Sequence, residues 1–173
     1  IFGINEETGE INTEVTFSEV FTTPAPKVSE SYITIDADKY YNGFDIMDLY
    51  PNDFGDAEGW AVLPLEVEIH GDIVDYYYDV YVGAVTDVTY PTDDEIILDL
   101  VQYGKHNEPM SYSYCYFYEP LTLIYFGKDA DDNNTVVTRV PMYLDPENCA
   151  DPSEFPFNPA EATAFKAERK FVK

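Results

Sequence analysis

The chain has 173 residues and a formal net charge of −25, from 34 acidic and 9 basic residues. Because phosphate groups repel a polyanion, this charge argues against nucleic acids and anionic membrane surfaces as partners. Hydrophobic residues make up 45% of the chain and aromatic residues 16%, which excludes wholesale disorder and favours β-strands.

The first 26 residues repeat a pattern found later in the chain. Phe2-Gly3, an acidic turn and the stretch 12–16 (NTEVT) match Phe126-Gly127, an acidic turn and the stretch 134–138 (NTVVT). We interpret both as β-hairpins formed by the last two strands of a repeated module. Residues 1–26 are therefore predicted to be the terminal hairpin of a preceding, incomplete module, with its turn near residues 6–9 and its body upstream.

A complete module is predicted from residue 27 to residue 145. Alternating apolar side chains predict strands at residues 31–37, 63–70 and 76–82, and further strands at 111–118, 121–128 and 135–143. The Asn-, Gly- and Asp-rich stretch between the first two strands is predicted to be a loop.

One short helix is predicted inside this module. Thr92 and Glu95 have the spacing of a capping box, and Ile96, Ile97 and Leu100 follow at helical spacing. Gly104 is a suitable residue for the end of such a helix.

Residues 146–173 are predicted to form a Pro-rich linker and a C-terminal helix. Asn158-Pro159 is a favourable helix start, and Lys166, Arg169 and Lys170 lie near the negative end of the helix. This basic tail could dock on the acidic module, bind a neighbouring chain, or be a frayed terminus.

The stretch 119–129 (EPLTLIYFGKD) resembles the L-x-P-x-T-x-Y-x-v-x-a-f-G-x-D segment of a known family. It is similar to fibronectin-III-like modules in secreted surface proteins and lipoproteins of gut-dwelling Gram-negative anaerobes. Phe21-Thr22-Thr23 resembles the F-T-T ending of such modules, whereas the second module ends Met142-Tyr143-Leu144, and the usual glycine before Thr122 is missing. The resemblance covers residues 27–145 and the hairpin at 1–23.

The resemblance implies a mainly β fold, an immunoglobulin/fibronectin-III-like β-sandwich, here with the short inserted helix and the C-terminal helix. It also implies a secreted or cell-surface location, with an outer-membrane-associated lipoprotein as the suspected form.

Tyrosines alternate along two of the predicted strands. Tyr112, Tyr114 and Tyr116 lie on one face of their strand, and Tyr77 and Tyr81 lie on one face of another. If the two strands share a sheet face, the five rings form an exposed platform on which sugars can stack. The alternative is that the rings pack in the core or across strands, and their burial distinguishes the two.

The predicted turn after residue 128 carries four oxygen-bearing side chains, namely Asp129, Asp131, Asp132 and Asn133. Such oxygens suit Ca²⁺, although the loop lacks the glycine and terminal glutamate of an EF-hand. The alternative is an ordinary solvated hairpin turn. Asp53, Asp56 and Glu58 form a second acidic loop of the same kind.

Residues that carry chemistry are sparse in this sequence. His70 and His106 lack metal-ligand spacing, and there is no nucleophile elbow or phosphate-binding loop. We therefore expect no enzymatic activity and no cofactor. Cys115 and Cys149 could form one disulfide or remain as two thiols.

The sequence thus predicts a non-catalytic structural or protein-interaction module of a secreted or cell-surface protein. Its expected partners are other modules of the same protein or a surface protein, with no nucleic acid and no transmembrane segment. The alternative is a glycan-binding module that uses the tyrosine face.

Overall fold

The computed structural model describes residues 27–86 and 90–159. The hairpin predicted for residues 1–26 lies outside the described residues. So does the predicted C-terminal helix, apart from Asn158 and Pro159 at its start.

Within the described residues the chain forms eight strands and two α-helices. In chain order these are β1 Tyr32–Asp36, β2 Tyr41–Asn42, α1 Gly43–Leu49, β3 Ala61–His70, β4 Ile73–Val82, α2 Asp93–Tyr103, β5 Lys105–His106, β6 Met110–Cys115, β7 Pro120–Asp129 and β8 Thr138–Tyr143. Two 3₁₀ turns follow, at Pro146–Asn148 and Pro152–Glu154. The prediction of a mainly β fold is confirmed.

The strands form two antiparallel sheets. In the first sheet β3 is central, with β6 along one edge and β1 and β2 one after the other along the opposite edge. This edge is interrupted opposite Pro64, which lies between the residues of β3 that pair with β2 and those that pair with β1. Proline has no amide hydrogen to donate to a neighbouring strand, so its position at a gap is favourable. The second sheet has the strand order β5-β4-β7-β8.

One hydrophobic core lies between the two sheets. Leu63 and Leu65 on β3 pack in the same buried cluster as Tyr78 on β4 and Leu121 and Leu123 on β7. Each of these side chains is almost completely buried, which contributes about 1.5–3 kcal/mol per aliphatic side chain. The alternation of apolar residues that predicted these strands is therefore used to build a shared core.

Helix α2 covers the outer face of the second sheet. Ile96 and Leu100 pack on Ile124 and Phe126 of that face and on Val137, which precedes β8. The capping box at its start is formed: Thr92 Oγ1 accepts from the amide of Glu95 at 3.4 Å, and Glu95 Oε2 accepts from the amide of Thr92 at 2.8 Å. The prediction of an inserted helix is confirmed.

Helix α1 and the segment after β8 cover part of the outer face of the first sheet. Ile46 of α1 is fully buried and packs with Tyr41, Phe54 and Phe155. The prediction of a loop throughout this region is wrong, because Asn42 accepts the amide of Phe44 at 3.1 Å and caps a seven-residue helix.

The repeated F-G…N-T pattern has a structural role in the second sheet. The amide of Gly127 donates to Thr135 Oγ1 at 2.9 Å, and the amide of Thr135 donates to the Gly127 carbonyl at 2.8 Å. A Cβ atom on Gly127 would lie 3.2 Å from the side chain of Ile73, so the glycine also permits close approach of β4. The pattern thus fixes the return of the chain from β7 towards β8.

Candidate functional site

The five tyrosines of the predicted platform are divided between two sheets. Tyr77 and Tyr81 belong to β4 in the second sheet, whereas Tyr112, Tyr114 and Tyr116 lie on or just after β6 in the first sheet. The two strands therefore do not share a sheet face, and the five rings do not form one platform.

Tyr77 and Tyr81 are packing residues beneath α2. The ring of Tyr77 stacks on Phe126, with centroids 5.3 Å apart, and on His106, with centroids 4.4 Å apart. The hydroxyl of Tyr81 donates to Asp99 of α2, and burial together with this bond raises the pKa of Tyr81. Both rings are half-buried and pack against the cluster that contains Ile96 and Leu100 of α2.

Tyr112 is half-buried and helps to attach the segment after β8. Its hydroxyl donates to the carbonyl of Pro156 at 2.6 Å, and its ring lies 5.2 Å from Phe54 and 5.3 Å from Phe155 between centroids. The packing alternative therefore describes Tyr112.

Tyr114 and Tyr116 remain open to solvent, with 36% and 49% of their surface exposed. Tyr116 lies beyond the end of β6 at Cys115 and contacts Trp60, with ring centroids 4.6 Å apart and planes tilted by 47°. Tyr114 donates its hydroxyl to Asp56 Oδ1 at 2.8 Å. We call Asp56, Trp60, Tyr114 and Tyr116 the aromatic patch.

The hydroxyl of Tyr114 keeps its proton at neutral pH. Partial burial and, secondly, the hydrogen bond to Asp56 raise the pKa of Tyr114 to about 12. Tyr114 therefore acts as a hydrogen-bond donor to the carboxylate and holds it in place.

The loop before β3 positions Asp56 and Trp60. Phe54 and Ala57 are buried anchors of this loop. Its backbone is held by bonds from the amide of Trp60 to the Ala57 carbonyl at 3.1 Å and from the amide of Gly43 to the Trp60 carbonyl at 2.9 Å. A Cβ atom on Gly43 would lie 1.9 Å from the Ala57 carbonyl oxygen, so only glycine lets α1 approach this closely.

The surroundings of the patch are acidic. Helix α1 and the following loop carry five carboxylates, which are Asp45, Asp48, Asp53, Asp56 and Glu58. No lysine or arginine occurs between Lys39 and Lys105 in the sequence. The aromatic patch is thus bordered by negative charge without a neighbouring lysine or arginine from its own segment.

The acidic turn after β7 uses its oxygens within the loop. One carboxylate oxygen of Asp129 accepts the amides of Asp131 at 3.0 Å and Asn133 at 2.9 Å, and both oxygens accept from Asn133 Nδ2. Burial opposes ionisation here, but these bonds outweigh it and lower the pKa of Asp129 to about 2.

The remaining acids of this turn do not complete a metal cage. Asp132 pairs with Lys128. Within residues 27–86 and 90–159, no group of three or more His, Cys, Asp or Glu residues is arranged to hold a metal ion. Asp129, Asp131, Asp132 and Asn133 lie in a hairpin turn whose Asp129 carboxylate accepts hydrogen bonds from Asp131 and Asn133.

The two cysteines are free thiols. Cys115 is buried in the core and Cys149 is half-buried. Burial raises the pKa of Cys115 to about 12, which leaves it protonated and unreactive at neutral pH.

Sequence reasoning identified Tyr114 and Tyr116 but missed their partnership with Trp60 and Asp56. The two pairs are separated by more than 50 residues in the sequence, and the loop prediction gave no reason to bring them together. The one usable signal was the lone tryptophan directly after an acidic loop.

Comparison with protein-family models, with curated proteins and with solved structures finds no match to this chain. In the part of the chain that the structure describes, no helix is long and apolar enough to cross a membrane.

Proposed function

We propose that residues 27–145 form an immunoglobulin-like sandwich of the fibronectin-III type. The strand order supports this proposal: in immunoglobulin lettering, β1-β3-β6 corresponds to A-B-E and β5-β4-β7-β8 to C′-C-F-G. Helix α2 lies between the strands that correspond to C and C′.

We further propose that the chain is a non-catalytic protein-interaction module of a secreted or cell-surface protein. The observation that carries this proposal is the contact of the half-buried Trp60 with the exposed Tyr116, beside Tyr114, whose hydroxyl is bonded to Asp56. Tryptophan and tyrosine dominate the binding energy of protein interfaces because they contribute large contact areas with few rotatable bonds. The proposed surface location rests on the resemblance of residues 119–129 to fibronectin-III-like modules of secreted surface proteins.

Glycan binding is the second candidate function. The exposure of Tyr114 and Tyr116 favours it, since open rings beside a carboxylate offer both a stacking face and a hydrogen-bond acceptor. Tyr77, Tyr81 and Tyr112 do not contribute to such a face, because the first two lie under α2 and the third packs on Phe155.

The interaction proposal is tested by immobilising the chain and its variants and comparing which of them retain a protein from a cell-envelope extract. Immobilised chain should retain a discrete envelope protein, Tyr116→Ala should lose it, and Tyr103→Ala on the exposed side of α2 should keep it. Equal retention by both variants would contradict the proposal. Loss of retention on enzymatic removal of glycans from the partner would favour the glycan candidate instead.

A separate experiment tests the location. Protease added to intact cells should cleave the chain, because a surface-exposed module is accessible from outside. Full protection of the chain in intact cells, with cleavage after lysis, would contradict a surface location.

A further inference from the structure

The negative charge around the aromatic patch favours a positively charged partner. Asp45, Asp48, Asp56 and Glu58 are exposed on α1 and the loop that carries Trp60. A ligand that bears negative charge is repelled by this border, whereas a positively charged ligand gains from it. The net charge of −25 acts in the same direction at longer range.

The rings of the patch attract cations as well as apolar groups. The face of an aromatic ring carries partial negative charge, and tryptophan is the strongest binder of cations among the aromatic side chains. Trp60 and Tyr116 lie 4.6 Å apart with planes tilted by 47°. This arrangement offers two ring faces at an angle rather than one flat surface.

The carboxylate of the patch lies in the loop that leads to Trp60 and is bonded to Tyr114, two residues before Tyr116 on the chain. Asp56 Oδ1 accepts the Tyr114 hydroxyl at 2.8 Å, and this is the one hydrogen bond that the described part of the chain gives to the Asp56 side chain. A carboxylate can accept several hydrogen bonds, so Asp56 retains acceptor capacity for a ligand donor. A ligand that is cationic, donates hydrogen bonds and has a face for stacking satisfies all three features.

We propose that the aromatic patch binds arginine side chains of a basic segment in a protein partner. The planar guanidinium stacks on Trp60 or Tyr116 and donates hydrogen bonds to Asp56. A lysine ammonium is not planar and matches the geometry of a ring face and a carboxylate less well. This inference rests on the proposed protein-interaction function and names the chemistry of the partner. A neutral glycan and a second copy of the chain are competing occupants that the experiment separates.

The fluorescence of the one tryptophan can be used to follow binding at the patch. Trp60 is the single tryptophan of the sequence, so a change in tryptophan emission reports on this site. The full chain is titrated with a peptide of alternating arginine and glycine at low salt, and with the same peptide carrying uncharged citrulline. We expect a saturable change in Trp60 emission with the arginine peptide and at least tenfold weaker binding of the citrulline peptide.

Patch variants and salt test where the peptide binds. Asp56→Asn and Tyr116→Ala should each weaken binding of the arginine peptide about tenfold, as expected for the loss of a partly desolvated cation–π or charge-assisted contact. Raising the salt to 0.5 M should weaken binding further, because screening acts on the acidic border. Asp94→Asn and Tyr103→Ala, which alter an exposed acid and an exposed ring of α2, serve as matched controls and should bind like the original chain.

Several results would overturn the inference. These are an emission signal that does not respond to the arginine peptide, equal binding of the citrulline peptide, and equal loss of affinity in the α2 controls. Saturable binding of an uncharged oligosaccharide, with the same dependence on Tyr116, would assign the patch to glycans. A protein that sediments as a dimer in low salt, with Trp60 unresponsive to peptide, would assign it to a second copy.

The two proposals can fail separately. Suppose that retention of the envelope protein depends on Tyr116 but Trp60 emission does not change with the arginine peptide. The patch then binds a partner of other chemistry, and the interaction function stands. If variants fail to fold, which circular dichroism detects, Asp56→Asn decides alone, since it changes an exposed side chain with little change in shape.

Discussion

The outer faces of the two sheets carry similar tyrosine patterns with opposite outcomes. On the second sheet, Tyr77 and Tyr81 lie beneath α2, and Tyr81 donates its hydroxyl to Asp99 of that helix. On the first sheet, Tyr114 and Tyr116 remain open, and Tyr114 donates its hydroxyl to Asp56 of a surface loop. In both places a tyrosine is bonded to an aspartate, but only one pair is covered by a helix.

The difference lies in what covers each face. Helix α2 spans the second sheet with Ile96 and Leu100, whereas α1 and the segment after β8 reach only as far as Tyr112 on the first sheet. Strand alternation determines which side of a sheet a ring occupies, but a distant element determines whether that side is exposed. The exposed face is therefore the one available for binding.

The largest expected effect is the loss of the cover over the second sheet. Leu100→Ala removes a fully buried side chain of α2 and should lower the free energy of unfolding by about 3 kcal/mol, from lost burial and a cavity. Leu98→Ala changes a side chain that is 70% exposed on the same helix and should change stability by less than about 0.5 kcal/mol. Denaturant unfolding of both variants checks this, and equal costs would show that α2 is not a cover.

A smaller loss is expected from displacing the loop at the first sheet. Gly43→Ala places a Cβ against the Ala57 carbonyl and should cost about 2 kcal/mol through overpacking, with a shift in Trp60 emission. Gly127→Ala brings a Cβ to 3.2 Å from the side chain of Ile73, a milder approach, and should cost about 1 kcal/mol without altering that emission. Unchanged Trp60 emission in Gly43→Ala would contradict the close approach of α1.

The sequence predicted the parts of the fold that carry a local signal. Alternation at Leu63 and Leu65 indicates a strand because one face of β3 is buried, and the box of Thr92 and Glu95 marks the start of α2 because both partners lie within one turn. Helix α1 was missed because it is seven residues long, begins with glycine and buries only Gly43 and Ile46. Its stability comes from packing on Phe54 and Phe155, which local patterns do not record.

The candidate site was predicted only in part, for the same reason. Alternation along β6 identified Tyr114 but also placed Tyr77 with it, because a one-dimensional pattern does not distinguish two sheets. Trp60 and Asp56 reach the patch through long-range contacts between a loop and a strand. The acidic turn after β7 suggested a metal site, yet the Asp129 carboxylate already accepts hydrogen bonds from Asp131 and Asn133.

Removing the Tyr81 hydroxyl tests the tyrosine–aspartate pair of the second sheet. Tyr81→Phe deletes the bond to Asp99 and should cost about 1.5 kcal/mol, because it leaves a partly buried acceptor without its donor. The matched variant Tyr81→Phe with Asp99→Leu replaces both polar groups by apolar ones and should recover part of the loss. Thermal and denaturant unfolding give these values, and a cost near zero for the single variant would show that the bond does not hold α2.

The capping box of α2 gives an effect of about 1 kcal/mol. Thr92→Ala removes the side chain that accepts the Glu95 amide, and the typical cost of losing such a cap is of this size. A double-mutant cycle with Glu95→Ala should be non-additive, because the two residues stabilise one another. Additive costs in denaturant unfolding would mean that the box does not act as a unit.

The smallest effect is expected at the exposed tyrosine, and its sign depends on pH. Tyr114→Phe should cost only a few tenths of a kcal/mol at pH 7, because water can replace Tyr114 as the donor to Asp56. The pKa of Tyr114 is raised to about 12 in the folded chain, above the value of about 10 expected in the unfolded chain. Its contribution to stability is therefore fully present below pH 10 and lost as the pH rises through 12. The stability difference between the original chain and Tyr114→Phe should shrink over this range and then reverse, as measured by denaturant unfolding at pH 8 to 12.

A difference that stays constant with pH would mean that Tyr114 titrates normally and is not held against Asp56.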